Sequence, residues 1–353
     1  MNTTQLTASA SEATGRGSDY AELLGRIRRA GLLARRPRYD ALRVATNGVL
    51  LAVGWALFIV IGASWWQLLT AAYLAVMFTQ TGFVGHDAGH HQIAGSRRAN
   101  QLLGLLHGNL GIGLAFGWWV DKHHRHHAHP NREGHDPDID NDVVVFTEGA
   151  AGRLRGPRRW LARHQAALFF PLLLLEGLAL HVASVQALRR PGYRHRTREA
   201  LLMALHAAGY LTVVVMVLSP LQAVAFVAVQ QGLFGLYLGC AFAPNHKGMP
   251  ILAEDDHTDF LRRQVLTSRN VRGGRLVDLA LGGLNYQIEH HLFPSMPRPA
   301  LRHAQTLVRD FCRERGIAYT ETGLIESYRQ ALRHLHTVGR DRTSADPGGQ
   351  ADG

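Results

Sequence analysis

Cysteine is almost missing from this chain: Cys240 and Cys312 are the only two in 353 residues. Neither has a neighbour at metal-ligand spacing, so a disulfide framework and a cysteine-built zinc site are both excluded. Acidic residues are also scarce beside basic ones, 27 Asp plus Glu against 38 Lys plus Arg, a net charge of +11. No nucleic-acid module accompanies that excess. The arginine clusters sit beside apolar runs, so anionic lipid headgroups are the expected partners. The N-terminus, MNTTQLTASASEATGRGSDY, lacks a basic start followed by an apolar core and does not read as a secretory signal. No internal repeat and no strand alternation is present, which leaves an all-α class. Residues 1–18 and 339–353 are expected to be disordered tails around a single domain, 19–338.

What the chain does have is long apolar runs. A membrane-crossing helix needs about 20 mostly apolar residues, and four stretches qualify: 45–64, 66–85, 200–218 and 221–242. They form two hairpins with very short turns that carry no Lys or Arg. A fifth run, Gln165 to Ser184, is as apolar, but GRLRGPRRWLAR precedes it and RRPGYRHRTR follows it. Short basic loops stay in the cytoplasm, so this run is predicted to re-enter or lie in the interface. Leu102 to Trp119, with His107, Asn109 and several glycines, is read the same way. Gly25 to Arg43 is predicted as an amphipathic, basic surface helix. Both termini then lie in the cytosol, and the chain is a multi-pass protein of the cell membrane.

Histidine is the anomaly: the chain has 21 of them, and they cluster. The clusters are His86-Asp87-Ala88-Gly89-His90-His91, Lys122-His123-His124-Arg125-His126-His127 and Gln287-Ile288-Glu289-His290-His291. Residues three and four apart share a helix face. His86 therefore projects with His90, and His123 with His126 and His127, while His124 turns away; Gln287 groups with His290 and His291. An even number of spans separates the clusters, so all three face one compartment close to the membrane.

Seven or eight imidazoles exceed the four ligands one zinc ion takes, whereas imidazole also suits iron, copper and nickel. Two ions with open positions fit the count best, and two irons could bind O2 and attack an unactivated C–H bond. Asp87 and Glu289 lie off the ligand faces, placed to accept hydrogen bonds from ligand rings.

GHDAGHH, WWVDKHHRHHAHPN and NYQIEHHLFP resemble the three histidine boxes of membrane fatty-acyl desaturases. Gln287 at the start of the third box resembles the front-end subgroup and its sphingolipid relatives. The likeness extends over roughly residues 40–335. It implies a non-haem di-iron centre with His86, His90, His123, His126, His127, His290 and His291 as ligands. It also implies an extra histidine after the last span, matched by His246 in Pro244-Asn245-His246-Lys247, and Gln287 in the remaining ligand position. Asn245 joins Asp87 and Glu289 as a supporting residue, and Trp118, Trp119, Asn285 and Tyr286 flank the boxes as candidates for lining a substrate tunnel.

The implied reaction is O2-dependent insertion of a cis double bond into a fatty acyl chain, carried as acyl-CoA or acyl-lipid. A lipid hydroxylase with the same boxes is the nearest rival, and a non-catalytic metal transporter or sensor is the alternative of another class. Many front-end members carry a fused cytochrome b5 domain marked by His-Pro-Gly-Gly. That motif is not found here, so a separate electron donor (ferredoxin, rubredoxin-like or flavin reductase system) is expected. Arg153, Arg155, Arg158, Arg159, Arg189 and Arg190 form a basic face that would suit an acidic donor; topology-setting arginines are the alternative reading of the same residues.

Overall fold

The computed structural model describes residues 18–140 and 143–340. Most of the two expected tails therefore lies outside the described residues. Where they are described, the boundaries move: Ser18 caps the first helix, and Gly339 and Arg340 end the last one.

Helix α1 (Asp19–Arg29) starts where Ser18 Oγ accepts from the Ala21 N–H at 3.2 Å. Its Leu23 and Ile27 are fully buried. The chain then leaves the helix, with Gly31 at φ 67°, and re-enters at α2 (Pro37–Ile61). Proline suits a first helical turn because its missing N–H has no partner there. The single surface helix predicted for Gly25 to Arg43 is thus replaced by two elements, one belonging to the cap and one to the first span. Helix α2 ends at Gly62, whose φ of 65° suits only glycine comfortably. Gln67 Nε2 closes that turn by donating to the Phe58 and Gly62 carbonyls at 2.6 and 2.9 Å.

Helix α3 (Gln67–Gly89) runs back and carries the first histidine box into its last turn. Next come α4 (Arg97–Gly104), a π-helical turn (Leu105–Gly111) and α5 (Phe116–Ala128), with a bend of 114° before α5. Helices α6 (Glu148–Arg153), α7 (Gly156–Leu173) and α8 (Glu176–Arg189) follow, and α7 and α8 meet at 83°. Both segments read as non-crossing are therefore sharply bent. The second hairpin is α9 (Arg196–Val217) and α10 (Pro220–His246). Helices α2, α3, α9 and α10 are the four long and apolar enough to cross a membrane by themselves.

Backbone freed at a bend inside a membrane must be satisfied by protein. Here side chains from α8 and α9 do it. His206 Nδ1 lies 2.8 Å from the Leu110 carbonyl and His181 Nδ1 lies 3.1 Å from that of Gly113. Ser184 accepts from the Ala115 N–H at 3.0 Å. Glu199, buried in α9, accepts from the Gly117 N–H and from Asn109 Nδ2, and so caps α5 from a neighbouring helix. His206, the one histidine within the four predicted spans, is thus a support for the bend.

The remaining chain folds into a cap: α11 (Phe260–Leu266), β1 (Asn270–Arg272), α12 (Arg275–Ala280), α13 (Gln287–Leu292), α14 (Arg298–Glu314), β2 (Glu321–Gly323) and α15 (Leu324–Arg340). The parallel pair β1–β2 is a small addition to an all-α fold. Leu23, Ile27, Val265, Ile288, Leu292, Val308 and Phe311 form the cap core. A second core, with Phe58, Phe78, Phe226 and Phe234 in edge-to-face contact, holds the spans together. Between these cores lies the junction where the histidines meet.

Candidate metal centre

Four helices deliver the ligand candidates. The end of α3 supplies His86, and His90 caps it; α5 supplies His123, His126 and His127; the end of α10 supplies His246; α13 supplies Gln287, His290 and His291. All nine side chains are buried, whereas His124 and His91 are exposed. The helical period thus sorts the second box as its spacing requires.

The histidines form two groups. In the first, one ring nitrogen each from His86, His90, His123 and His290 lies within 4.8 Å of the others. In the second, His126, His246 and His291 converge, with Nε2–Nε2 separations of 3.3 Å (His126–His246) and 3.1 Å (His246–His291). His127 stands between them: its Nε2 is 3.1 Å from His123 Nε2, and its ring stacks on His291 at 4.1 Å. Gln287 completes the second group with its amide nitrogen 2.8 Å from His246 Nε2. Its carboxamide oxygen faces Asn245 Nδ2 at 3.4 Å, so turning the amide over would offer that oxygen to an ion instead.

Partners outside each group hold the rings. His126 Nδ1 is 3.0 Å from both oxygens of Asp136, His246 Nδ1 is 3.1 Å from the Thr267 carbonyl, and His291 Nδ1 is 2.9 Å from Gln264 Oε1. His86 Nδ1 is 2.9 Å from Asp87, whose other oxygen takes Arg43 and Arg298 at 2.8 and 3.0 Å. Each Nδ1–H is thereby fixed as a donor, and Nε2 is left with a lone pair for the centre. Asp87 thus combines the expected ring contact with bridging to two arginines. Glu289 differs from expectation. It accepts from Asn270 at 2.7 Å and Tyr319 at 2.8 Å, touches no ligand ring, and burial pushes its carboxyl up to about 7. Its work is to tie α13 to β1.

The donor set fits metal ions on three counts. The Nε2 atoms of His86, His90 and His290 are buried without a hydrogen-bond partner, a costly arrangement unless something electrophilic sits among them. At a metal–nitrogen distance of about 2.1 Å, ligand nitrogens at right-angled to tetrahedral positions lie roughly 3.0–3.4 Å apart, which takes in the 3.3 and 3.1 Å separations of the second group. Finally, burial first, then neighbouring rings, hold His90, His123, His127, His290 and His291 well below the usual histidine pKa, in the neutral form that ligates. At His126 burial opposes the charged ring, but Asp136 and Asp138 outweigh it and the pKa is raised.

The four tunnel candidates separate. Trp119 stacks on His123 at 4.5 Å and lies 5.5 Å from His86, against the centre. Trp118 packs with Ala115, Ala187 and Met203 in a core cluster. Asn285 donates to Asp278, and Tyr286 accepts from Arg302, both beside a surface pocket of about 240 Å³. Sequence reasoning missed Asp136, Gln264 and the Thr267 carbonyl. Only Asp136 left a trace, as an acidic turn closely following a basic box.

A helical membrane protein with two adjoining polyhistidine clusters at the ends of its spans is the class that fold and site define. The fatty acid desaturase family matches residues 63–323, and the chain belongs to that family. It is similar to the acyl-lipid (9-3)-desaturase of Physcomitrium patens, with 27% identity over 91% of this chain and 62% of that protein. It is 29% identical to the Delta(8)-fatty-acid desaturase of Euglena gracilis, over 94% of this chain and 81% of the relative. A Delta(6)-fatty-acid desaturase of Caenorhabditis elegans is 29% identical over 77% of the chain and 65% of its own length.

Proposed function

We propose that the protein uses two irons and O2 to place a cis double bond in a fatty acyl chain, at the cytosolic surface of the membrane. The observation that carries this reading is the convergence of buried imidazoles in two adjoining groups. His86, His90, His123 and His290 would hold one iron, and His126, His246, His291 and Gln287 the other, with His127 between them. The irons, when bound and reduced, supply the oxidising power to remove hydrogen from an unactivated methylene. Per turnover, two adjacent CH2 groups each give up a hydrogen, and O2 with two electrons and two protons leaves as two waters.

The chain's own residues provide placement. Asp136, Gln264, Asp87 and the Thr267 carbonyl fix ring tautomers. Trp119 and Phe242, near the His86 ring, give the centre an apolar side where an alkyl chain can lie and water is excluded. Basic loops on one side of the spans support a cytosolic centre. An acyl-lipid or acyl-CoA substrate both satisfy this arrangement.

Expression in a desaturase-poor bacterium, with fatty acids profiled by mass spectrometry, tests the proposal. The expected product is a chain lacking two hydrogens, absent with His290→Ala. A product that instead gains one oxygen would make the protein a hydroxylase, and an unchanged profile from metal-loaded protein with a competent donor would overturn the reading.

A further inference from the structure

The reaction proposed above needs two electrons per turnover, and the Arg153 to Arg159 part of the expected docking face is poorly suited to deliver them. Arg155 bonds the Gly152 and Leu154 carbonyls and Arg159 bonds that of Ala151, so both guanidinium groups serve their own loop. That loop packs near α15, whereas no ligand histidine lies on α6, α7 or α15.

A different surface touches the centre. His124 is the box residue that the helical period turns outward, and it is exposed. Its ring nevertheless lies 5.9 Å from that of His90, a member of the first group. Beside it stands His91, exposed and held at a positive φ of 57°. Arginines gather at the same place. Arg97 and Arg98 open α4 a few residues on, and Arg35 Nη1 lies over the intervening loop, 3.0 Å from where a Cβ on Gly95 would be. Arg35, Arg97 and Arg98 are exposed and have no acidic partner among the described residues, unlike Arg125, which pairs with Asp121.

We propose that an acidic one-electron carrier protein docks on the face formed by Arg35, Arg97, Arg98, His91 and His124, and passes electrons through the His124 ring to the first histidine group. This rests on the redox reading above. Two carriers are each oxidised by one electron, and together they take the metal pair down by two. Unpaired cations around an exposed ring that contacts a ligand ring are what such a partner needs: long-range attraction to speed encounter, and a short path once docked. A lipid headgroup would use the charges but has no use for the ring.

The test uses the full chain, iron-loaded, in discs of zwitterionic lipid, with a reduced acidic [2Fe–2S] ferredoxin as donor and dithionite as a small-molecule control. The Arg97→Glu/Arg98→Glu pair is expected to slow ferredoxin-driven reduction about tenfold at low salt, with the gap closing as salt rises. His124→Phe is expected to lower the limiting rate at saturating ferredoxin. Iron per chain and the dithionite rate should match wild type in both, and Arg158→Glu/Arg189→Glu should change the ferredoxin rate by less than about twofold. An unchanged ferredoxin rate in the first two variants would overturn the docking site. So would an equal loss with dithionite, or a defect seen only when anionic lipid is added. Wild-type protein that is reduced by ferredoxin yet forms no unsaturated product would defeat the proposed function and leave the docking site standing.

Discussion

At the scale of single residues, the centre depends as much on what holds the rings as on the rings themselves. Asp136 is fully buried and accepts from His126, from the Asn131 N–H at 2.7 Å and from the Asp138 N–H at 2.9 Å, so it holds the ring and the turn behind it together. Loss of such an outer partner commonly weakens metal binding about 10–100-fold. Asp136→Ala should therefore purify with less iron and surrender the rest to a chelator sooner than wild type, while His135→Ala, an exposed neighbour, should retain both properties. Iron per chain with and without chelator decides it. The ligands themselves were legible because i, i+3 and i+4 spacing is a local property of a helix. Glu289 was not, because its partners Asn270 and Tyr319 arrive from segments the sequence cannot place beside it.

At the scale of elements, close approach and capping govern how the helices sit. Gly235 on α10 faces the backbone of Gly177 and Glu176 so closely that a Cβ would collide with main-chain atoms. Small residues let membrane helices approach in this way. Gly235→Leu is expected to cost at least about 1–3 kcal/mol through overpacking, read as earlier thermal unfolding in detergent. Glu199 caps α5 from outside, and removing a buried acceptor leaves its donors unsatisfied at about 1–3 kcal/mol. Glu199→Ala should lower thermal stability, and because α5 carries the second box it should also lower iron content; Glu199→Gln, which keeps an acceptor, should recover part of both. The four spans were readable from apolar length alone, but the break between α1 and α2 was not. A run of basic and apolar residues suggested one helix, yet Gly31 and Pro37 punctuate it, and Leu23 and Ile27 find their partners in the cap.

At the scale of the whole molecule, ions would join the two cores. The first histidine group draws on α3, α5 and α13, and the second on α5, α10 and α13, so each would tie spans to cap. A ligand that binds only the folded form stabilises it by mass action. Iron removal is thus expected to lower the unfolding temperature and to open the cap to proteolysis before the spans. Equal protease resistance in iron-free and iron-loaded protein would count against that linkage.

Helix α13 begins at Gln287, late in the chain, and contributes to both groups. During synthesis the spans can enter the bilayer long before either group has its full set of nitrogens. Metal loading would accordingly be among the last events in making the protein. A nascent chain stalled before Gln287 would be an inserted scaffold with neither histidine group complete.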